Sequence, residues 1–240
     1  MLSHHSFDLS RRGALKCLAF GGVGTVFMLA GGILSPMELE LTLHTGDITH
    51  LSKASEFDLA SQIMSGLNIT ELHTVPGEHD VTDGPGTKYV TRFGKPSNNK
   101  GYYSFNHSGV HFIALVNVMH FKPNGLGGLG DEQLAWLEND LKGRSSSTSI
   151  VVFAYMPLCT IYEPWGWGTG DADQAMSYLK RFGSVTVLNG HIHQIVSKVE
   201  GNITFHTARS TAYLQPTAGN GTGPGPLTVA SDQLPKMLGA

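Results

Sequence analysis

The sequence predicts an α/β domain, on three observations. Short apolar runs bounded by Gly, Pro or Asn alternate with amphipathic segments along most of the 240 residues. The runs at 149–155 and 184–190 are typical of strands buried on both faces of a sheet. Polar clusters follow four of the expected strands. A chain of this length, 40% hydrophobic and with a net charge of −3, can form one soluble domain with a sizeable core.

The first part of the domain is predicted to contain two strands joined by a helix. The run at 39–45 is the first expected strand, and the run at 70–75 is the second. The helix between them is predicted over 52–67, with Ser52 as its N-cap. Its expected buried face consists of four apolar residues at helical spacing: Phe57, Leu59, Ile63 and Leu67.

A hairpin and a second helix are predicted next. Two runs with strand character flank His107–Gly109 within 102–118, which predicts a hairpin that turns there. The clearest helical pattern of the sequence covers 130–143 and ends at Gly143. Its apolar residues lie three and four positions apart: Leu134, Leu137 and Leu141.

The remainder of the domain is predicted to alternate strand and helix, and then to pair two short strands. A helix over 171–183 with Asp171 as its cap separates the two buried strands named above. Two antiparallel strands are expected on either side of Gly201 and Asn202. The Gly/Pro-rich tail at 216–240 is expected to lie on the surface or to be disordered, so the domain itself is predicted over 37–215.

Residues 1–36 have the pattern of an export signal. Arg11 and Arg12 precede an uncharged apolar stretch, and together with Ser10 they resemble the twin-arginine motif. A membrane anchor is the alternative, because the stretch approaches the length that spans a bilayer. The protein is therefore expected to be exported, and to be periplasmic or membrane-associated, with membrane contact through this segment.

Charge and cysteine content exclude some classes of function. Sixteen Lys and Arg residues stand against nineteen Asp and Glu residues, without a basic stripe beyond the N-terminal segment, so a nucleic-acid polymer is not an expected partner. Of the two cysteines, Cys17 lies in the N-terminal segment and leaves Cys159 alone in the domain. Disulfide bonds are therefore not expected to stabilise the fold. The sequence does not predict an oligomeric state.

Four polar clusters follow four of the predicted strands. They contain Gly46-Asp47, Glu78-His79-Asp80, the Tyr155-Met-Pro segment and His191-Ile-His193. Each cluster taken singly is more often a turn or a pair of surface histidines. Because ligands bind at the carboxyl ends of strands in open α/β sheets, the four together predict one site.

These clusters resemble the motifs of the calcineurin-like metallophosphoesterases, in the branch that includes bacterial cyclic-nucleotide phosphodiesterases. Gly46-Asp47 matches the family's Gly-Asp, Gly77 to Asp80 matches Gly-Asn-His-Asp/Glu, and Gly190 to His193 matches Gly-His-x-His. The resemblance covers about residues 40–212. It implies a layered α/β/β/α sandwich, whose first strand is missing here.

The resemblance also implies a set of metal ligands and their chemistry. Asp47, Glu78, His191 and His193 are the implied ligands of one or two divalent transition metal ions, and Mn, Fe or Zn suits such a mixture of donors. The implied reaction is hydrolysis of a small phosphoester by metal-activated water. His79 is the implied catalytic residue that stabilises the transition state or protonates the leaving group, and Asp80 is expected to orient it.

Three departures from the family's motifs are visible. The family's Asp-x-His motif does not occur between the N-terminal segment and Gly46, Tyr155 stands where the family has a metal-binding histidine, and Glu78 replaces an asparagine. Counting the remaining ligands, one ion is expected to bind well and a second weakly. The interpretations left open are an impaired phosphoesterase, a relative that binds metal or phosphoester without turnover, and a membrane-anchored structural domain.

Overall fold

The computed structural model describes most of the chain: residues 15–16, 26–29, 39–66, 69–97, 99–119, 125–230, 232–233 and 237–238. The expected export signal therefore lies largely outside the described residues, and it stays a prediction. Two short strands are described within it, β1 (Leu15–Lys16) and β2 (Val26–Leu29). No helix in the described ranges is long and apolar enough to cross a membrane.

The first sheet has four strands in the order β1-β2-β3-β4, where β3 is Leu39–His44 and β4 is Ile69–Thr74. Strand β2 runs antiparallel to β3, whereas β3 and β4 run parallel. Helix α1 (Ala54–Ser65) connects β3 with β4, as a parallel pair requires. A short helix, α2 (Thr87–Phe93), follows β4.

The second sheet has six strands in the order β5-β6-β7-β8-β10-β9. The strands are β5 (Tyr103–His107), β6 (Val110–Ala114), β7 (Ser149–Ala154), β8 (Ser184–Asn189), β9 (Val196–Glu200) and β10 (Ile203–Thr207). The four central strands are parallel, and β5 and β9 are antiparallel edges. Helices α3 (Asp131–Leu141) and α4 (Ala172–Leu179) follow β6 and β7.

Two apolar cores hold the layers together. Between the sheets, Leu41 and Leu43 of β3 pack with residues of the second sheet, among them Phe112 and Phe153. On the opposite face of the second sheet, α3 and α4 pack on strands β6, β7, β8 and β10 through a larger cluster that includes Leu137. The predicted sandwich of two sheets flanked by helices is therefore confirmed. Because Leu137 is fully buried, its truncation to Ala costs about 2–5 kcal/mol of stability.

The predicted elements occur where the sequence places them, and the hairpin turn is confirmed. Ser108 and Gly109 connect β5 with β6, and both have positive φ, 48° and 78°. Two consecutive residues with positive φ define a type I′ turn, whose twist matches that of antiparallel strands. Glycine at the second position favours this turn, because glycine adopts positive φ without a steric penalty.

The expected buried face of α1 is correct for Phe57 and wrong for Leu59 and Ile63, while Leu67 lies outside the described residues. Leu59 and Ile63 are exposed by 57% and 39%, and Phe57 instead shares its buried cluster with Ala60 and Met64. Both sets have helical spacing, so periodicity alone does not decide between them. The cluster also contains Tyr89 of α2, and this tertiary contact selects the face.

Of the two expected helix caps, Ser52 is wrong and Asp171 is confirmed in position, and both side chains bind elsewhere. The N-cap of α1 is Lys53, while the hydroxyl of Ser52 donates to the carbonyl oxygen of His79 at 2.7 Å. Asp171 is the N-cap residue of α4, as predicted, but its side chain does not form the capping hydrogen bond. Its carboxylate accepts instead from the N–H of Leu129 at 2.9 Å and from the N–H of Gly130 at 2.8 Å. Both residues connect loops that are distant in the sequence.

Candidate metal centre

The segments that follow β3, β4, β7 and β8 meet at one place. The hydroxyl of Tyr155, after β7, donates to Asp47 Oδ2, after β3. The backbone N–H of His79, after β4, donates to Asp47 Oδ1 at 3.0 Å. Nδ1 of His191, after β8, lies 3.4 Å from Glu78 Oε1. The predicted convergence of four strand ends is therefore present in the structure.

Asp47 is the most buried of the expected ligands, with 1% of its surface exposed. Burial, and then the charges of Asp80 and Glu78, raise the pKa of Asp47 well above its ordinary value, against the hydrogen bonds from Tyr155 and His79. A buried carboxylate among other acids is costly unless a positive charge compensates it. The position therefore suits a bound cation.

Glu78 and His79 complete a group of three possible ligands with Asp47. Each side chain offers one ligand atom, and these atoms lie within 4.8 Å of one another. Burial acts to raise the pKa of Glu78, but the neighbouring His191 and His79 outweigh burial and hold this pKa below its ordinary value. Glu78 is thus ionised at neutral pH and can bind a cation.

His191 is the clearest sign of a missing partner. Both of its ring nitrogens are buried, and neither forms a hydrogen bond of normal geometry with the described residues. Its Nδ1 approaches Glu78 Oε1 at 3.4 Å without the alignment of a hydrogen bond. An unpaired buried polar atom costs about 1–3 kcal/mol. A metal ion bound by one ring nitrogen of His191 would remove that cost for this nitrogen.

His193 is prepared as a ligand by its surroundings. Its Nδ1 lies 2.8 Å from the carbonyl oxygen of Tyr213, which requires a proton on Nδ1 and leaves the lone pair on Nε2. Burial lowers the pKa of His193 to about 4, so the ring is neutral at neutral pH. His193 does not belong to the group of three side chains whose ligand atoms lie within 4.8 Å of one another, so its role as a ligand stays a prediction.

The backbone at the centre shows one close approach that requires glycine and three candidate ligands with positive φ. A Cβ on Gly77 would lie 2.1 Å from Asp47 Oδ1, so only glycine allows the carboxylate to approach this backbone. Asp47, His191 and His193 all have positive φ, at 54°, 67° and 52°. Such conformations cost on the order of 1–3 kcal/mol each and concentrate at functional sites.

Asp80 has a different role from the expected one. Its Oδ2 accepts from the N–H groups of Ile48 and Gly77 at 3.0 and 2.9 Å, and its Oδ1 accepts from the N–H of Thr49 at 2.7 Å. The expectation that Asp80 orients the imidazole of His79 is wrong, because these backbone groups take up its carboxylate. Asp80 holds the loops after β3 and β4 together.

The imidazole of His79 is oriented by His50. Nδ1 of His79 lies 2.8 Å from the carbonyl oxygen of His50, and the two rings stack with their centroids 5.2 Å apart. The hydrogen bond directs the proton to Nδ1 and leaves Nε2 of His79 available. Nothing in the sequence distinguishes the backbone carbonyl of His50 as this partner.

Tyr155 lies between the two acidic ligands. Its hydroxyl donates to Asp47 Oδ2 and is 3.5 Å from Glu78 Oε1, and its ring meets the ring of His191 edge-on at 4.9 Å. Burial, and then the charges of Asp47 and Glu78, raise the pKa of Tyr155 well above its ordinary value. The residue is therefore a neutral phenol that occupies space next to the candidate ligands.

Sequence reasoning missed the residues that support the loop of Tyr155. The side-chain amide of Asn189 donates to the carbonyl oxygens of Ala154 and Met156 at 3.1 and 3.0 Å. The amide of Asn117 also donates to Met156 O, at 2.9 Å. Both asparagines are fully buried. In the sequence each stands near the end of an apolar run, and an asparagine at such a position is the pattern that indicates a buried, hydrogen-bonded amide.

The fold and this set of residues define a metallophosphoesterase. The chain belongs to the calcineurin-like phosphoesterase family, whose sequence profile matches residues 20–195. The matched region begins inside the segment expected to be an export signal and includes β2.

Plant purple acid phosphatases are among the similar proteins. The chain is 35% identical to probable purple acid phosphatase 20 of Arabidopsis thaliana over 109 residues, which are 43% of this chain and 22% of that protein. It is 29% identical to purple acid phosphatase 15 of the same plant over 134 residues, which are 51% of this chain and 24% of that protein. The chain thus spans about a quarter of the length of these relatives.

A solved structure with the same fold is a dimetal phosphatase from Danio rerio. It superposes with a TM-score of 0.62 over 74% of each chain, at 14% sequence identity. The expected membership of the metallophosphoesterase family is confirmed, and so is a divalent metal as the expected class of cofactor. The cyclic-nucleotide phosphodiesterase branch stays a prediction.

Proposed function

We propose that this protein hydrolyses a small phosphomonoester or phosphodiester with the help of one or two divalent transition metal ions. The observation that carries the proposal is the convergence of Asp47, Glu78 and His79 next to His191, whose buried nitrogens have no partner in the described chain. Carboxylates mixed with imidazoles suit Mn, Fe or Zn. Membership of the family agrees with this reaction.

The residues present fit a metal ion. Asp47, Glu78, His191 and His193 would hold it, with the neutral Nε2 of His193 prepared by the hydrogen bond to Tyr213. A divalent ion supplies Lewis acidity at the phosphoryl oxygens and lowers the pKa of water. Tyr155 and Asn189 keep the strand exits in place around these ligands.

His79 is the residue that handles the leaving group in this proposal. Its Nδ1 is held by the carbonyl of His50, so the ring presents Nε2 for exchange of a proton. His79 also lies in the group of side chains within 4.8 Å of one another that contains both acidic ligands. It would protonate the departing alkoxide or stabilise the charge on the phosphoryl oxygens.

The test combines metal analysis with turnover. We expect the purified protein to retain a divalent metal, and the Mn-loaded protein to hydrolyse 4-nitrophenyl phosphate or bis(4-nitrophenyl) phosphate. Asp47→Ala should abolish both properties, whereas His206→Ala, a histidine on β10 whose ring contacts Ser197, should change neither. Activity equal in the wild type and Asp47→Ala would show that this site does not catalyse the reaction.

A second candidate function is binding of metal or phosphoester without turnover. It is favoured by the phenol of Tyr155, which engages Asp47, and by the sequence before Gly46, which lacks the family's Asp-x-His motif. Tyr155→His separates the two candidates. The variant should raise an existing activity of an impaired enzyme, and it should produce none in a protein that only binds. Adding cyclic nucleotides to the substrates tests the expected phosphodiesterase branch.

The place of action is proposed from the N-terminal sequence alone. Arg11 and Arg12 before an apolar stretch support export, or attachment to a membrane. A fusion of residues 1–36 to a reporter enzyme, compared with the same fusion carrying Lys at both positions, tests it. Export that is unaffected by the two substitutions excludes the twin-arginine route.

A further inference from the structure

A cleft of about 470 Å³ adjoins the candidate metal centre through His193, the one candidate ligand in its described lining. His193 forms one side of it, and the segment around Gln215 forms another. The two sides are connected, because the side-chain amide of Gln215 donates to the carbonyl oxygen of His191 at 3.3 Å. The amide of Gln194 in turn donates to the carbonyl of Gln215. The cleft is therefore built on the same loops as the metal ligands.

Arg209 supplies the charge of this cleft. It follows β10, which runs parallel to β8, so it leaves the sheet at the same end as His191 and His193. In the part of the chain that the structure describes, Arg209 forms no ion pair or hydrogen bond, although it is partly buried. The described lining of the cleft contains no acidic residue. A guanidinium without a carboxylate partner is suited to an anion from outside the protein.

The rest of the lining combines polar side chains with exposed apolar ones. Ile195, Leu227 and Met237 are exposed by 62%, 43% and 37%, and all three line this cleft. They are three of the seven large apolar side chains that are exposed among the described residues. Apolar side chains that collect around one cation match a ligand with an apolar chain and an anionic end.

We propose that this cleft binds the organic part of the substrate, and that the substrate is a phosphoester whose apolar organic part carries a second anionic group recognised by Arg209. The inference rests on the proposed function, since the first anion is the phosphoryl group at the metal centre. Arg209 is then a residue that determines specificity. It contacts the substrate away from the reacting phosphorus atom.

The test is a comparison of matched ligands. The probes are ω-carboxyalkyl phosphonates with two to six methylene groups, each against the alkyl phosphonate of the same length, and calorimetry on the Mn-loaded protein measures their binding. Phosphonates are not hydrolysed, so binding is separated from turnover. We expect the carboxylate member to bind about tenfold more tightly at the chain length that reaches Arg209.

Three variants decide the origin of this preference. Arg209→Gln should abolish it, and Arg209→Lys should retain part of it. Lys142→Ala removes one positive charge from the C-terminal end of α3 and should leave the preference unchanged. Melting temperatures establish that each variant is folded. A wild type that does not distinguish the pairs at any length, or a preference that persists in Arg209→Gln, overturns the proposal.

Turnover of the corresponding phosphate esters separates this inference from the proposed function. If Arg209 determines ligand preference but no ester is hydrolysed, the proposed hydrolysis is refuted and the recognition of a second anionic group in the cleft is supported. If alkyl and carboxyalkyl phosphates are hydrolysed with equal KM, the proposed hydrolysis is supported and the recognition of a second anionic group by Arg209 is refuted. For the proposal to stand, Arg209→Gln must raise KM for the carboxyalkyl esters about tenfold and leave kcat nearly unchanged.

Discussion

Replacing Tyr155 by Phe should strengthen metal binding while it weakens the metal-free protein. The substitution removes only the hydroxyl that donates to Asp47 Oδ2 and lies 3.5 Å from Glu78 Oε1. The ring should remain in place, because it packs with Val81, Val116 and Met156 and against the ring of His191. The variant therefore isolates the competition between a phenolic proton and a cation for the same carboxylate.

The size of the effect follows from that hydrogen bond. A hydrogen bond to a charged group contributes roughly 1.5–3 kcal/mol. A cation that uses Asp47 Oδ2 must displace it in the wild type but not in Tyr155→Phe, so Mn²⁺ should bind roughly ten- to hundredfold more tightly to the variant. Without metal, the same loss should lower the melting temperature by roughly 3–10 °C for a domain of this size.

Calorimetric titration with Mn²⁺ and thermal unfolding in the presence of a chelator measure the two effects. Tyr178→Phe is the matched control, because the hydroxyl of Tyr178 accepts a hydrogen bond from Gln174 on the exposed part of α4. Weaker Mn²⁺ binding by Tyr155→Phe would refute the reasoning, since it would show that the phenol is itself a ligand. Unchanged affinity would show that the ion does not use this oxygen of Asp47.

The remaining predictions concern the loops that carry the ligands. Asp80→Asn places an amide donor opposite backbone N–H groups, which are themselves donors. The free energy of unfolding measured in urea should therefore fall by about 3 kcal/mol. A loss below about 1 kcal/mol would contradict the role of Asp80 as a connection between loops. Burial lowers the pKa of His44 to about 4, and its Nδ1 accepts from Gly46 N–H. Above pH 6.5 the ring is neutral in both the folded and the unfolded chain, whereas between pH 6.5 and 4 only the unfolded chain gains a proton. The corresponding contribution to stability, roughly 3 kcal/mol, should be lost as pH falls from 6.5 to 4, and His44→Asn should lack that part of the pH dependence in unfolding titrations. Gly77→Ala forces a Cβ onto Asp47 Oδ1 and should reduce Mn²⁺ affinity at least tenfold in calorimetry, whereas Gly183→Ala, with its nearest neighbour at 3.7 Å, should bind as the wild type does.

The sequence is most informative where a local rule and a global rule agree. Parallel strands deliver their carboxyl ends to one edge, so clusters after the runs at 39–45, 70–75, 149–155 and 184–190 predict a common site without coordinates. The structure brings Asp47, Glu78 and His191 together there. The strand positions follow from hydrophobic pattern and turn residues, which are local properties.

Sequence reasoning fails where a side chain has several possible partners. The carboxylate of Asp80 and the hydroxyl of Ser52 both bind across the gap between two loops, and a sequence gives no distance between loops. The partner that orients His79 is a backbone carbonyl, which every residue has. The apolar face of α1 was ambiguous for the same reason, since packing against Tyr89 decides which of two helical stripes is buried.

The hydrogen bonds that Asp80 accepts from three main-chain amides affect how this end of the molecule opens. One carboxylate accepts from the amides of Ile48, Thr49 and Gly77 and so connects the exits of β3 and β4 directly. We therefore expect the two exits to open together, with the three amide protons exchanging with solvent through one shared opening event. Because these hydrogen bonds do not require a metal ion, we expect the two strand exits to keep their arrangement in the metal-free protein, ready to bind an ion.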